Sequence, residues 1–203
     1  MFRLSAGTGF KAPQLKDLYA SASVNNPTFI DEVACKAEET SGGSTPSCNP
    51  RQWRVLSGGN DGLQEEKSES YNMGLMYQPS KRNNIGFDVW MTKLNNVVGI
   101  DYQQLTQYEL DGGDLSKYGI VVQRDAGRIV SIDAPKLNLA SLEISGIDFN
   151  TGFAISNNFS LRIQHSHLFY YKNEGFPGTG FENTLGQNGL PAWRNNVTLD
   201  YSR

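Results

Sequence analysis

Apolar and polar side chains alternate with a period of two along several stretches of the chain, most clearly over residues 65–102. Such a period places successive residues on opposite faces of a β-strand. Here two strands are separated by turn residues 79–83, and each strand has one apolar, aromatic face and one small or polar face. The apolar set is Tyr71, Met73, Leu75, Tyr77, Ile85, Phe87, Val89 and Met91.

The same pattern predicts further strands at residues 2–9, 139–155, 159–172 and 192–201. A break in the alternation at Ser145-Gly146 predicts a β-bulge. A small hairpin is predicted over residues 120–133, turning at Asp125-Ala126-Gly127, and one helical turn is predicted at residues 14–19.

Long and short connections alternate between these strands. The long ones lie at about residues 11–63, 103–138 and 173–191, and the short ones at 79–83 and 156–158. In an up-and-down antiparallel sheet, alternate connections lie at the same end, so all the short turns share one end and all the long loops share the other. Outer-membrane barrels sort their connections in this way, with short periplasmic turns and long extracellular loops. A long irregular connection such as 11–63 is typical of a functional or mobile loop.

Charged side chains fall on the polar faces of the strands, where a dry core would make them costly and a water-filled or plugged lumen would not. The pattern therefore predicts an all-β chain: an antiparallel, up-and-down transmembrane β-barrel segment of about six long strands. The residues predicted to face the lumen are Arg3, Asn72, Asp88, Asp148, Arg162, Arg194 and Asp200.

Composition agrees with a barrel and excludes other classes. The 203 residues suffice for one domain, yet only 38% are hydrophobic and 21 are glycine, which is lean for a packed core. A net charge of −3 gives no basic excess, so nucleic acid is not expected as a partner. No apolar run approaches the ~20 residues of a membrane-spanning helix, but a strand needs only ~9–11. No signal-peptide pattern follows Met1, so an exported chain is expected to lack its front end.

The two cysteines, Cys35 and Cys48, lie in a polar loop and are predicted to form a disulfide in an oxidising compartment. The alternative is two free thiols in a cytosolic loop. Two cysteines without a nearby histidine fall short of a metal site, so no metal and no cofactor are predicted. His165 and His167 share a strand face with apolar residues, which favours a place at the lipid boundary near the outer rim over a metal pair.

Loop residues are the candidates for substrate binding, because guanidinium groups suit an anionic ligand and aromatic rings stack on a sugar or a catechol. These residues are Arg51, Trp53, Arg54, Tyr102, Tyr108, Phe176 and Phe181. The carboxylates Glu65, Glu66 and Glu69 are accompanied by Lys67 but by no nucleophile elbow, metal motif or phosphate loop, so no catalytic residue and no enzyme are predicted. The alternative is a soluble secreted β-sandwich, such as a carbohydrate-binding module or a glycosidase.

Five segments, in order along nearly the whole chain, resemble the TonB-dependent outer-membrane receptors. They are GTGFKAPQLKDLY (7–19), GNDGLQEEKSESYNMGLMYQP (59–79), IGFDVWMTKLNNVVG (85–99), EISGIDFNTGF (143–153) and LPAWRNNVTLDYS (190–202). Lys11 and Asp17 stand where the family more often has Arg and Glu, and Glu65 stands where it often has Pro.

The resemblance implies a bacterial outer-membrane barrel of about 22 strands closed around an N-terminal plug. It further implies TonB-energised uptake of a siderophore, cobalamin or oligosaccharide. Strand parity places Lys11 and Arg162 on the lumen side, where they are expected to face the plug. No plug, TonB box or final aromatic-ended strand is visible, so residues 1–203 are expected to be part of the barrel domain. The expected partners are outer-membrane lipid, the plug, the remaining strands, the TonB complex and a small-molecule or oligosaccharide substrate.

Overall fold

A computed structural model describes residues 1–187 and 189–201, and in these ranges the chain is mostly β-strand. The strands are β1 (Phe2–Lys11), β2 (Ser23–Asn25), β3 (Thr28–Phe29), β4 (Arg51–Gln52), β5 (Arg54–Ser57), β6 (Glu66–Ser80), β7 (Asn83–Val97), β8 (Val121–Asp125), β9 (Arg128–Asp133), β10 (Ala140–Ala154), β11 (Phe159–Glu174), β12 (Glu182–Asn183) and β13 (Trp193–Tyr201). The helices are α1 (Leu15–Tyr19), α2 (Glu32–Ser41) and α3 (Tyr102–Leu110), and single 3-10 turns lie at Pro46–Cys48 and Ser116–Tyr118.

The long strands form one antiparallel sheet, called the wall below. Its order is β1-β6-β7-β10-β11, and both β12 and β13 pair with β11. Short turns join β6 to β7 and β10 to β11, whereas the connections at 12–65, 98–139 and 175–192 are long. The predicted antiparallel, up-and-down order and the alternation of long and short connections are confirmed, and the wall is a partial barrel.

Local predictions within the wall also hold. The register between β10 and β11 shifts at Ser145/Gly146, as the broken alternation predicts, because Phe169 is an extra residue on β11. At the end with the short turns, Arg82 Nη1 donates to Asn157 Oδ1 at 3.1 Å, so that the two turns are tied together.

The two faces of the wall differ as the period of two requires. Leu75, Phe87 and Phe149 lie side by side in one lateral row of the apolar face. Nothing covers this face among the described residues, and Leu4 and Leu199 are 74% and 61% exposed. A β-sandwich would bury such a face under a second sheet, so the soluble-sandwich alternative is wrong. An uncovered apolar face of this extent is typical of a barrel wall that meets lipid.

The hydrophobic core lies outside the wall, in the three long connections. These pack together into a unit, called the loop cap below, that contains the four-stranded sheet β2-β5-β9-β8 and helices α2 and α3. Every residue of the main buried cluster comes from these connections: Phe29, Trp53, Val55, Leu105, Leu115, Ile120, Ile129, Ile132, Ala134, Leu139 and Phe176.

The prediction that the connection at 11–63 is irregular is therefore wrong, although the helical turn at α1 and the β8–β9 hairpin were correctly predicted. The error has a physical cause. Each connection supplies too few apolar residues to bury a core alone, and no local periodicity shows that three distant segments will share one. Asp31 and Asp101 do cap the starts of α2 and α3, which is a local signal for both helices.

Gly74 of β6 allows an ion pair to cross the wall. On the polar face, Arg3 of β1 reaches over Gly74 to Asp88 of β7, with Arg3 Nη2 and Asp88 Oδ1 2.6 Å apart. A Cβ atom added at position 74 would overlap both Asp88 Oδ1 and Arg3. Glycine is therefore required there by the side chains above it.

We expect Gly74→Ala to lower the free energy of unfolding of the complete receptor by about 1–3 kcal/mol, because Arg3 and Asp88 must leave their present rotamers. Urea unfolding in detergent micelles measures this loss. Gly7→Ala is the matched control, since Gly7 has no atom within 4 Å of an added Cβ. Equal stability of the two variants would contradict this account of the ion pair.

Candidate functional site

A polar pocket of about 300 Å³ lies where the wall meets the loop cap. Lys11 and Glu66 enter it from the ends of β1 and β6, and α1 and residues 135–137 form its other side. Strand parity places Lys11 with Arg3, and Glu66 with Asn72, so that the pocket opens on the polar face of the wall. We call it the basic pocket.

The lining of the basic pocket contains three lysines and two carboxylates, so one positive charge is in excess. Lys11 Nζ lies 3.0 Å from Glu66 Oε2, and Lys136 Nζ lies 2.6 Å from Asp17 Oδ1. Lys16 also lines the pocket, and none of the described carboxylates forms an ion pair with it. The lining therefore carries a net positive charge from its third lysine.

The hydrogen bond from Lys136 lowers the pKa of Asp17. When folding lowers the pKa of a carboxyl group, the ion pair of that group stabilises the fold fully at any pH above the ordinary pKa. The stabilisation is lost only as the pH falls through the lowered value. The Asp17–Lys136 pair is therefore intact throughout the neutral range. Because α1 belongs to the first connection and Lys136 to the second, this pair also fixes the pocket walls relative to each other.

A second pocket of about 410 Å³ adjoins the basic pocket, and the two share Gly99, Ile100 and Tyr102. The ring of Tyr102 stacks on Phe29 with centroids 5.6 Å apart, and burial raises the pKa of its hydroxyl, which therefore stays protonated at neutral pH. Asn173 also lines this pocket, and its Oδ1 atom is buried with no hydrogen-bond donor among the described residues. The second pocket thus offers an aromatic ring, and one residue of its lining holds a buried acceptor atom without a donor.

Gln104 ties the third connection to the second. Its Oε1 atom accepts from the backbone N–H groups of Gly175 and Phe176 at 2.6 and 3.1 Å, and from Thr179 Oγ1 at 2.9 Å. Gln104 is itself buried, so these bonds are shielded from water. They hold residues 175–179 against α3, beside the second pocket.

Arg124 ties the first connection to the second. Its Nη1 atom lies 3.0 and 2.9 Å from the two carboxylate oxygens of Asp31, which is fully buried, and its Nη2 atom lies 2.8 Å from Glu109 Oε2. Burial opposes the charge of Arg124, but hydrogen bonds and charges from Glu109 and Asp31 outweigh it and raise the pKa of the guanidinium. The arginine therefore stays charged inside the loop cap.

The residues predicted to bind substrate do not gather in one place. Trp53 and Phe176 are core residues of the loop cap, 7% and 0% exposed, so they are unavailable to a ligand in this structure. Arg51 is exposed but stacks on Trp53 at 5.6 Å, and Arg54 is exposed on β5. Only Tyr102 lines the two pockets described above.

The two remaining aromatic candidates lie elsewhere in the loop cap. Tyr108 packs between Phe176 and Tyr118, with centroid separations of 4.8 and 6.4 Å. Phe181 is 46% exposed and lines a separate pocket beside α3. Lys16, Lys136 and Asn173 were not predicted as site residues from the sequence. Of the three, only Lys16 lies in a segment that resembles the family, GTGFKAPQLKDLY, and could have been chosen on that ground.

The residues predicted to face the lumen all lie on the polar face of the wall. Arg3, Asp88, Asp148 and Arg194 fall in one lateral row, which Gly74 and Ser166 complete. Trp90 Nε1 donates to Asp148 at 2.9 Å. The other predicted residues occupy other rows of the same face: Asn72, Arg162 and Asp200.

Cys35 and Cys48 form a disulfide with an S–S distance of 1.97 Å. Cys35, Cys48 and Glu39 place potential metal-ligand atoms within 4.8 Å of one another, but both sulfurs are used in the disulfide, so this group is not a metal site. His165 lies on the apolar face and its Nδ1 atom is 2.5 Å from Asn195 Oδ1. In the described ranges, no helix has the length and hydropathy needed to cross a membrane.

A one-layer sheet with an uncovered apolar face, a polar face and all its long loops at one end defines the class of outer-membrane β-barrel walls. The sequence matches the family model described as TonB dependent receptor-like, beta-barrel, over residues 1–203. The chain belongs to this family, whose barrels lie in the bacterial outer membrane and serve receptors and transporters. No curated protein matches the sequence.

Two solved structures share the fold. One is a mutant of the ferric enterobactin receptor PfeA from Pseudomonas aeruginosa, with 13% identity and a TM-score of 0.58; the match covers 98% of this chain and 23% of that chain. The other is the siderophore receptor PirA from Acinetobacter baumannii, with 14% identity and a TM-score of 0.57; the match covers 99% of this chain and 24% of that chain. This chain thus spans about a quarter of the length of either receptor.

We expect Arg124→Met to destabilise the loop cap by about 3–5 kcal/mol, because it leaves the buried carboxylate of Asp31 without a cation. Amide hydrogen exchange in α2 and β9 of the complete receptor measures the loss. Arg128→Met is the control, since Arg128 is half exposed and its pair with Glu38 is worth at most about 1 kcal/mol. Equal exchange rates in the two variants would show that Arg124 does not hold the cap together.

Proposed function

We propose that this chain supplies part of the barrel wall and the ligand-binding loops of a receptor that imports a scarce nutrient with energy from the TonB complex. Membership of the family supports the proposal. In the complete receptor, the remaining strands and a plug domain close the barrel, and outer-membrane lipid covers the apolar face. The wall and loop cap bind cargo and line its path, and they carry out no covalent chemistry.

For the cargo, we propose an anionic iron chelate of the siderophore class. The observation that carries this proposal is Lys16, a lysine in the basic pocket with no ion-pair partner among the described residues. A ferric chelate built from catecholate groups carries a net negative charge and presents flat aromatic rings. The basic pocket suits the charge, and the adjoining ring of Tyr102 suits the aromatic groups.

The two pockets also suit the shape of such a cargo. They lie against the same short segment, residues 99–102, and each is within the range of about 300–1,000 Å³ that is typical of ligand pockets. The two structural neighbours are named as receptors of ferric enterobactin and of a siderophore, in agreement with this cargo class.

Neutral cargo, such as an oligosaccharide, is the competing proposal for the same pocket. A neutral ligand would gain no charge–charge attraction from Lys16, and its binding would therefore be insensitive to salt. The charge dependence of binding therefore separates the two cargo classes.

We expect Lys16→Ala to weaken binding of a ferric tris-catecholate to the complete receptor about tenfold, because it removes the excess positive charge of the basic pocket. Isothermal titration in detergent at low and high salt measures the affinity. Lys36→Ala is the matched control, since Lys36 is also an exposed lysine of the first connection but lies outside the basic pocket and is paired with Glu39.

The wild-type affinity is expected to fall with rising salt, and the affinity of Lys16→Ala to fall less steeply. A neutral ferric hydroxamate is expected to bind both proteins equally. Binding of the tris-catecholate that is insensitive both to salt and to Lys16→Ala would overturn the proposed cargo class.

A further inference from the structure

Two polar side chains interrupt the apolar face of the wall. The lateral row of Leu75, Phe87 and Phe149 continues with His165 of β11 and Asn195 of β13. His165 Nδ1 and Asn195 Oδ1 lie 2.5 Å apart, and we call these two residues the polar pair. Polar groups on a surface that meets lipid are costly unless a partner satisfies them, so such groups mark contact sites.

The polar pair lies near the middle of the apolar band. Toward the long loops, Glu143 lies six positions from Phe149 and forms an ion pair with Lys93 at 2.8 Å on the same face. Toward the short turn, Phe159 lies six positions from His165. At about 3.4 Å per residue and a strand tilt of about 40°, each of these separations is a depth of roughly 15 Å. His165 thus lies deeper than the rim position that the sequence pattern predicts.

Each member of the polar pair keeps a hydrogen-bonding group that the pair itself does not use. Asn195 Oδ1 can only accept, so His165 Nδ1 carries the hydrogen, and Nε2 of the neutral ring is then an acceptor. The Nδ2 group of Asn195 keeps its two N–H donors. Neither atom has a partner among the residues that the structure describes.

The neighbours of His165 within the wall do not supply the missing donor. His165 is flanked on both sides by described strands, with Phe149 opposite it on β10 and Asn195 opposite it on β13. Phe149 has no donor in its side chain, and Asn195 is already bonded through Oδ1. Hydrocarbon offers no hydrogen bonds, and lipid headgroups lie at the rims of the band. A donor for Nε2 therefore has to come from another protein surface within the membrane.

We propose that the polar pair is the centre of an interface with a second copy of this chain. A two-fold axis along the membrane normal brings the same surface of two identically inserted barrels together at the same depth. Asn195 Nδ2 of each copy then donates to His165 Nε2 of the other. A free donor beside a free acceptor is self-complementary, which is what a two-fold interface requires.

The surroundings of the polar pair suit such a contact. Trp193 and Val197 flank Asn195 along β13 on the same face, and both are exposed. Ile163 and His167 flank His165 along β11 in the same way. Association in lipid depends on close packing and on hydrogen bonds between the partners, since lipid tails are as apolar as the side chains they cover. The polar pair supplies the hydrogen bonds and its apolar neighbours supply the packing.

Two other occupants compete with the second copy. One is a different membrane protein that offers a donor at the same depth. The other is a metal ion held by His165 and His167, which lie on one face of β11. The self-complementarity of the polar pair favours the second copy, and the experiment includes an outcome for each alternative.

The experiment is sedimentation equilibrium of the complete receptor in neutrally buoyant detergent micelles, over a range of protein-to-detergent ratios. We expect a monomer–dimer equilibrium. His165→Leu and Asn195→Leu each remove both symmetry-related hydrogen bonds, so each is expected to weaken the dimer about tenfold. Both variants place an apolar side chain on the lipid face, so the barrel is expected to remain folded.

His167→Leu is the matched control, because His167 lies on the same strand and face as His165 but contacts the ring of Phe169 and not Asn195. It is expected to leave the affinity of the dimer nearly unchanged. Exchange of the polar pair, His165→Asn together with Asn195→His, keeps one donor beside one acceptor and is expected to restore the dimer.

Three results would overturn the proposal. A purified receptor that stays monomeric at every ratio would leave the polar pair to a different membrane protein. Dissociation of the dimer by EDTA would assign the contact to a metal ion. Equal affinity of the wild type and His165→Leu would show that the polar pair does not hold the copies together. No cargo is present in these measurements, so their outcome leaves the test of the basic pocket unaffected.

Discussion

The structure depends first on the need to pair every backbone N–H and C=O group of the wall where lipid surrounds it. Lipid offers these groups no hydrogen bonds, so long strands joined edge to edge are among the few arrangements available. Within such a sheet, the period of two assigns apolar side chains such as Leu75 and Phe87 to the lipid and leaves the other face for polar ones. Charged residues then have to be accommodated on that face, and Gly74 makes room for the Arg3–Asp88 pair.

Because one face of the wall meets lipid and the other a polar lumen, the wall has no interior in which to build a hydrophobic core. The loop cap provides that core instead, with three connections that each contribute part of it. Two polar residues determine how the connections fit together: Arg124 pairs with Asp31 and Glu109, and Gln104 accepts three hydrogen bonds from residues 175–179. Pockets form at the borders of this assembly, one at its base beside Lys11 and Lys16 and another beside Phe181.

Local sequence patterns predicted those features that local geometry determines. The alternation in β6 and β7, the bulge at Ser145 and Gly146 and the short turns all follow from side-chain periodicity and turn chemistry, which act within a few residues. The disulfide partners followed from the presence of only two cysteines. Predictions for the loops succeeded less well: Trp53 and Phe176 were expected at a ligand and lie in the core, while Lys136 came into the site without any sequence signal. Aromatic residues in a polar loop have the same appearance in sequence whether they contact a ligand or one another.

The amino-acid sequence by itself determined the wall: its strands, its two faces, the end at which the long loops lie and the family to which it belongs. These properties arise from interactions between neighbours along the chain or between adjacent strands in a regular register. Only the tertiary structure decided the loop cap and its pockets, because contacts such as Lys136–Asp17 and Arg124–Asp31 join residues 119 and 93 positions apart. No local pattern encodes such pairs, since they form only when separate connections fold against one another and bury a common core.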